Sequence, residues 1–108
     1  MTGSLGEFEV VVLMAVLHLG DGAYPPAVRA LIETRTGRAP ARGAVYVTLD
    51  RLESKRLLAS RLDDAAGHGG RPRRYYRTSA RGRQALRRAL AGLEQMRDGL
   101  GPLLAEEA

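Results

Sequence analysis

Ala41-Arg-Gly-Ala-Val-Tyr-Val-Thr-Leu-Asp-Arg-Leu-Glu-Ser-Lys55 is the stretch whose reading decides the fold. At about 100° per residue it forms a helix with Val45, Leu49 and Leu52 on one narrow apolar stripe. Gly43, Val47, Asp50, Arg51 and Ser54 fall on the opposite face, with Tyr46 and Thr48 on its flanks. That outer face is slim and modestly polar, with one central arginine. A helix anchored by such a stripe can dock in a DNA major groove. It can equally be an ordinary amphipathic surface helix, and the helix alone leaves both readings open.

The next twenty residues narrow the choice. Leu57-Leu-Ala-Ser-Arg-Leu62 and Pro72-Arg-Arg-Tyr-Tyr-Arg77 read as short strands. The span between them, Asp63 to Arg71, contains Gly67, Gly69 and Gly70 and reads as a hairpin tip. Helix, hairpin and basic tip in that order make a winged helix. Ala44-Val-Tyr-Val-Thr-Leu-Asp-Arg-Leu-Glu53, Leu57-Leu58, Gly70-Arg-Pro-Arg-Arg-Tyr-Tyr-Arg77 and Ser79-Ala-Arg-Gly-Arg83 together resemble the PadR family of bacterial transcriptional regulators. The resemblance covers about residues 5–95 and keeps motif order and spacing. Two positions depart from it. Pro25 and Arg56 stand where the family usually has glycine, and Arg56 must either take a left-handed conformation at some cost or end its helix differently.

Composition agrees with one small globular domain. The 108 residues are 44% hydrophobic, which excludes a disordered chain, and the absence of Cys excludes disulfides and thiolate chemistry. The apolar run Val10–Leu17 is too short to span a membrane and lacks the basic flank of a signal peptide. The expectation is a cytoplasmic protein with no membrane association. Net charge is +5, unevenly placed: residues 42–88 carry 13 Arg and Lys against four Asp and Glu, a net of +9. The flanking segments are mildly acidic. Positive charge confined to the helix, the hairpin and the start of the last helix fits a polyanionic partner.

Along the chain, Ser4-Leu-Gly-Glu7 has the form of a capping box and sets a first helix from about residue 4 to Leu19, stopped by Gly20. That helix is apolar nearly all round. Either one domain wraps it or a second chain covers part of it, and so short a chain favours the second chain. Tyr24-Pro25-Pro26 opens a second helix that Gly37 ends. Helices two and three then form a helix-turn-helix. Ser79 caps a last helix over about 80–98. In it Leu86, Leu93 and Leu100 recur every seven residues, with Ala89, Met96 and Leu103 three later. This a/d pattern suits a dimer seam, or a helix folded back on its own domain. Gly99, Gly101 and Pro102 should stop it, and the tail Glu106-Glu107-Ala108 should fray.

No enzyme chemistry emerges. His18 and His68 have no second ligand at metal spacing, there is no nucleophile elbow, and Gly67-His-Gly-Gly70 precedes a strand rather than a phosphate-binding helix. No cofactor or metal is expected. The basic constellation is Arg71, Arg73, Arg74 and Arg77 with Arg42, Arg51 and Lys55, and of Tyr75 and Tyr76 one should pack inward.

The fold class expected is mainly α with a small β-hairpin: a winged helix-turn-helix over residues 1–78 and a C-terminal dimerisation helix over 79–108. The resemblance implies a homodimeric regulator of double-stranded DNA, a repressor, joined through its last and first helices. DNA would be met by Arg42, Gly43, Tyr46, Val47, Thr48, Asp50, Arg51, Lys55, Arg71, Arg73 and Arg74. The dimer would use Leu5, Phe8, Val12, Leu86, Ala89, Leu90, Leu93, Met96 and Leu100. Many members of the family respond to small aromatic molecules. Phe8 and four tyrosines provide few aromatic walls, so an inducer has no identified chemistry here. The rival readings are a winged helix that binds only protein, or a ligand-sequestering protein.

Overall fold

Helix α1 (Glu7–Leu19) is the axis of the fold in this computed structural model, which describes residues 5–64, 69 and 71–106. After α1 come a single 3₁₀ turn (Gly20–Gly22), α2 (Pro25–Thr36), α3 (Arg42–Ser54), β1 (Leu58–Asp63), β2 (Arg73–Thr78), α4 (Ala80–Arg97) and the short α5 (Leu100–Ala105). This is the mainly helical architecture with one antiparallel hairpin that the sequence leads one to expect. Ser4, Gly67, His68, Gly70, Glu107 and Ala108 lie outside the described residues, and with them the expected serine cap, the glycines of the hairpin tip and the end of the tail.

The first helix begins at Glu7, not near residue 4. Gly6 is its N-cap, and the Glu9 carboxylate accepts the Gly6 N–H at 2.9 Å, which satisfies one of the donors a helix start leaves open. Its apolar residues Val10, Val12, Leu13, Ala15 and Val16 are buried by the chain itself, because α2, α3, β2, α4 and the 3₁₀ turn all pack on α1. The chain covers most of this helix itself and leaves Leu5, Phe8, Val11, Met14 and Leu19 half-buried and Leu17 exposed on its remaining side. Val12, expected at a dimer contact, is fully buried in the protomer core, and Leu86 of α4 is 5% exposed in the same core.

Helix α2 starts on Pro25 and Pro26, whose missing N–H groups cost nothing in a first turn, and stops at Gly37 in a left-handed conformation. Helix α3 seals Val45, Leu49 and Leu52 against the core, at 1% exposure or less. It ends in a Schellman motif: the Leu57 N–H donates to the Leu52 carbonyl at 3.0 Å and the Arg56 N–H to the Glu53 carbonyl at 2.9 Å. The motif needs a left-handed residue, and Arg56 supplies it at φ 63°.

The hairpin pairs Leu58 with Thr78 through Asp63 with Arg73. Each strand starts and ends one residue later than the sequence pattern implies. A hydrogen bond of 2.8 Å from Tyr76 N–H to the Ala23 carbonyl fastens β2 to the segment before α2. Ser79 then caps α4, accepting the Gly82 N–H at 3.0 Å while its hydroxyl donates to the Arg56 carbonyl at 2.8 Å. Helix α4 ends at Arg97, as expected, but the chain does not stay irregular. Gly99 turns at φ 81° and a further helical turn and a half continues as α5. The protomer is elongated, 57 × 33 × 21 Å. Beyond Ala89 every described residue of α4 and α5 is exposed.

Two substitutions at the α3–β1 corner should act with opposite sign. A Cβ on Gly82 would lie 2.1 Å from the Leu57 carbonyl oxygen and 2.8 Å from Thr78 Cγ2. Gly82→Ala is therefore expected to lower the unfolding free energy by at least about 3 kcal/mol in denaturant titration. Arg56→Gly relieves the left-handed arginine and should raise it by about 0.5–1 kcal/mol.

Candidate nucleic-acid interface

Helix α3 presents one face to solvent because its other faces are occupied. Arg42, Gly43, Tyr46, Val47, Asp50 and Arg51 are all exposed, with Tyr46 at 53% and Val47 at 55%. An exposed valine and tyrosine beside arginine make a surface able to meet both methyl groups and polar base edges. Thr48 is not part of it. Three residues after Val45 and four before Leu52, it lies on the buried side at 5% exposure.

Lys55 is the C-cap of α3, and its ammonium is drawn back to Glu9 Oε2 at 2.8 Å. Burial alone would push the Glu9 carboxyl up, but the hydrogen bonds from Lys55 and Gly6 together with the charges of Lys55 and Arg51 outweigh it and hold the pKa below the usual value. Each charge also sits at the helix end that favours it, a carboxylate at the N-terminus of α1 and an ammonium at the C-terminus of α3.

Pro25, Pro26 and Arg29 of α2 face Arg42, Val45 and Tyr46 of α3 across an open cleft of about 260 Å³. Arg29 is a residue that sequence reasoning misses. Its Nε donates to the Pro40 carbonyl at 2.7 Å and so fixes the turn between the two helices. Nothing in an isolated arginine at this position signals such a bond.

The strand alternation gives the hairpin two unlike faces. Tyr76 and Thr78 point inward. Burial pushes the Tyr76 phenol up, and Glu53 adds to the effect. On the same face Arg74 Nη1 donates to the Ser60 hydroxyl at 3.0 Å, and that hydroxyl donates to Glu53 near the end of α3. The other face carries Arg61, Arg73, Tyr75 and Arg77. There the Arg61 guanidinium lies 4.8 Å from the centre of the Tyr75 ring, Tyr75 lies 5.6 Å from Tyr24, and Arg73 lies 4.5 Å from the centre of Tyr24. This ladder of rings and guanidiniums braces the wing on the start of α2. Tyr24 and Arg61 carry no signal in the sequence, because their partners are set only by the register. Arg71 and Pro72, before β2, are exposed.

The constellation thus divides. The structure brings Arg42, Gly43, Tyr46, Val47, Asp50 and Arg51 together on one surface, engages Arg73, Arg74 and Lys55 with protein groups, and leaves Arg71 exposed on the wing. Of the expected dimer residues, Leu5, Phe8 and Ala89 are half-buried, while Leu90, Leu93, Met96 and Leu100 are exposed at 38%, 60%, 78% and 37%. Among the described residues no cluster of His, Cys, Asp and Glu could hold a metal ion, and no helix is long and apolar enough to cross a membrane.

This geometry has relatives. The transcriptional regulator PadR-like family matches residues 13–88. A PadR family transcriptional regulator from Eggerthella lenta is similar at 32% identity and a TM-score of 0.71, over 94% of this chain and 88% of that one. A PadR family transcription regulator from Clostridium difficile shares the fold at 23% identity and a TM-score of 0.69, over 89% of this chain and 98% of that one. No match exists among curated proteins.

The Glu9–Lys55 pair has a definite pH signature. Because the folded pKa of Glu9 is lowered, the stability it brings is fully present above the ordinary value of 4.5 and is lost as pH falls through the folded value. Glu9→Gln should cost about 1 kcal/mol at pH 7, the size of a partly exposed pair, and the difference should shrink in denaturant titrations as pH falls below 4.5.

Proposed function

This chain belongs to the PadR-like family of transcriptional regulators, and from that premise we propose that it is a homodimeric, sequence-specific repressor of double-stranded DNA. The observation that carries the reading is the outer face of α3. It is the exposed side of a helix whose opposite side is locked into the core, and it lies in the segment of net charge +9. A helix held this way presents its side chains to a major groove in a fixed orientation.

Arg51 at the centre of that face reads a base edge, with Val47 and Gly43 allowing close approach. Tyr46 and Arg42, at the cleft with Arg29, meet the sugar–phosphate backbone. The exposed Arg71 of the wing, beside Pro72, enters the minor groove next to the site, where a narrow groove concentrates negative potential. The exposed stripe of Leu90, Leu93, Met96 and Leu100 supports pairing of two protomers, with the half-buried Leu5 and Phe8 of the first helical segment as further candidates for the interface. The cleft between α2 and α3 has Tyr46 as its one aromatic wall, so a small-molecule inducer enters the proposal only as a partner of the assembled dimer.

Selection from a random duplex library tests the reading directly. Recovery of a two-fold symmetric site, with affinity falling steeply as salt rises, is expected; a protein-only interaction module would recover none. Arg51→Ala should lose about 1–3 kcal/mol on the selected site and much less on unselected duplex. Equal losses on both would reassign Arg51 to phosphate.

The dimer has its own test. Leu93→Asp sets a charge in the exposed stripe, and sedimentation should then show a monomer where the wild-type chain is a dimer at micromolar concentration, with melting of the winged-helix core little changed. A wild-type chain that stays monomeric would refute the pairing.

A further inference from the structure

The Glu9–Lys55 pair joins two elements that the proposed function uses for different purposes. Glu9 is 7% exposed and has both carboxylate oxygens engaged, Oε1 with the Gly6 N–H at 2.9 Å and Oε2 with Lys55 Nζ at 2.8 Å. Lys55 lies 46 residues away at the C-cap of the recognition helix, one turn after Arg51. The charge of Arg51 also bears on Glu9. Immediately beyond Lys55 the chain makes its left-handed turn at Arg56. The C-terminal turn of α3 is thereby held from both sides: by the Schellman bonds and by a carboxylate anchored in the cap of another helix. On α1, Glu9 is flanked by the half-buried Phe8 and, one turn earlier, Leu5.

We propose that Glu9 is a positioning residue for DNA recognition, fixing the C-terminal turn of α3 to the start of α1 through Lys55, and that Lys55 serves this link rather than a DNA phosphate. The inference rests on the DNA-binding reading above and assigns a role to a residue that touches no DNA. The two roles open to Lys55 make opposite demands on Glu9. If Lys55 contacts phosphate, Glu9 competes for its ammonium and repels the backbone, so neutralising Glu9 strengthens binding. If Lys55 is a link, neutralising Glu9 releases the end of the helix that carries Arg51, and sequence-specific binding weakens.

The experiment measures duplex affinity over a range of salt concentrations for the wild-type chain, Glu9→Gln, Lys55→Met, Lys55→Arg and the double variant Glu9→Gln/Lys55→Met. The probes are the duplex recovered by library selection and an unselected duplex of the same length, at a temperature where each variant is folded. Glu9→Gln and Lys55→Met should each weaken the selected duplex by about three- to tenfold. Both should leave the unselected duplex nearly unchanged and keep the wild-type salt slope. Lys55→Arg, which can still reach the carboxylate, should bind as the wild-type chain does. The double variant should be no worse than either single one, the mark of two residues acting through one contact.

Tighter binding by Glu9→Gln, or a salt slope that falls by about one unit in Lys55→Met, overturns the proposal and returns Lys55 to the phosphate contacts. Equal weakening on both duplexes in step with a fall in melting temperature also overturns it, since a merely structural bridge would behave so. If Glu9→Gln does not fold, the Lys55→Met and Lys55→Arg pair decides alone, because both leave the Glu9–Gly6 cap in place. Absence of wild-type binding to either duplex at low salt would sink the DNA-binding reading itself, and this inference with it.

Discussion

The Leu57 carbonyl is where the fold is fastened. Its oxygen accepts the Ser79 N–H at 3.0 Å, and Gly82 passes so close that no side chain fits between. The Leu57 N–H meanwhile closes the Schellman motif on Leu52. One residue's backbone thus ends α3, leads into β1 and receives the first turn of α4. Ser79 reinforces the junction by capping α4 and donating to the neighbouring Arg56 carbonyl. The direction of α3, the exit of the wing and the angle of the long C-terminal helix are therefore set at one point. Arg56 in its left-handed conformation is the local cost of that arrangement, offset by the buried pair Leu52 and Leu57 beside it.

Much of this is legible from residue periodicity. The stripe Val45, Leu49 and Leu52 is sealed as its spacing demands, Pro25 and Gly37 bound α2, and Ser79 caps α4. The departures have particular causes. Thr48 reads as outward when the buried arc is drawn from three leucine and valine positions. A helix gripped by α1, α2 and β1 buries a wider arc, and a threonine falls inside it. Chain length alone does not show that five neighbouring elements share out most of α1, leaving only the side of Leu5, Phe8, Val11, Met14, Leu17 and Leu19 partly uncovered. The tie from Lys55 to Glu9 is invisible to any count of charge, because a count cannot see a carboxylate 46 residues away.

The wing shows how far local pattern reaches. Alternation requires one of Tyr75 and Tyr76 to pack inward, and the structure buries Tyr76, the one whose face of β2 meets the core. Alternation cannot supply the ladder of Arg61, Tyr75, Tyr24 and Arg73, which depends on the strand register and on the Tyr76–Ala23 hydrogen bond that draws the hairpin to α2. The ladder changes what the wing's arginines are available for. Arg73 spends its guanidinium on Tyr24, and hydrogen bonding with Tyr75 further favours its charged form. Arg74 reaches Ser60. Rigidity in the wing is obtained from the same residue type that elsewhere supplies charge.

That division bears on why the proposed repressor should be a dimer. A recognition helix of 13 residues is about 20 Å long. Its exposed face has Arg51 at its centre, able to form a bidentate contact with a base, beside small or apolar neighbours at Gly43 and Val47. One such contact gives about 1–3 kcal/mol of discrimination. Specific binding usually exceeds non-specific binding by about 4–10 kcal/mol. A lone protomer falls short of that range, whereas two recognition helices on a two-fold axis double both the base contacts and the shape constraint. The exposed stripe of α4 lies on the part of the chain that the core does not reach. Pairing there would leave the surface of α3 free and set the distance between the two readers. The apolar residues that a solitary protomer has no reason to expose are then the ones that supply the missing specificity.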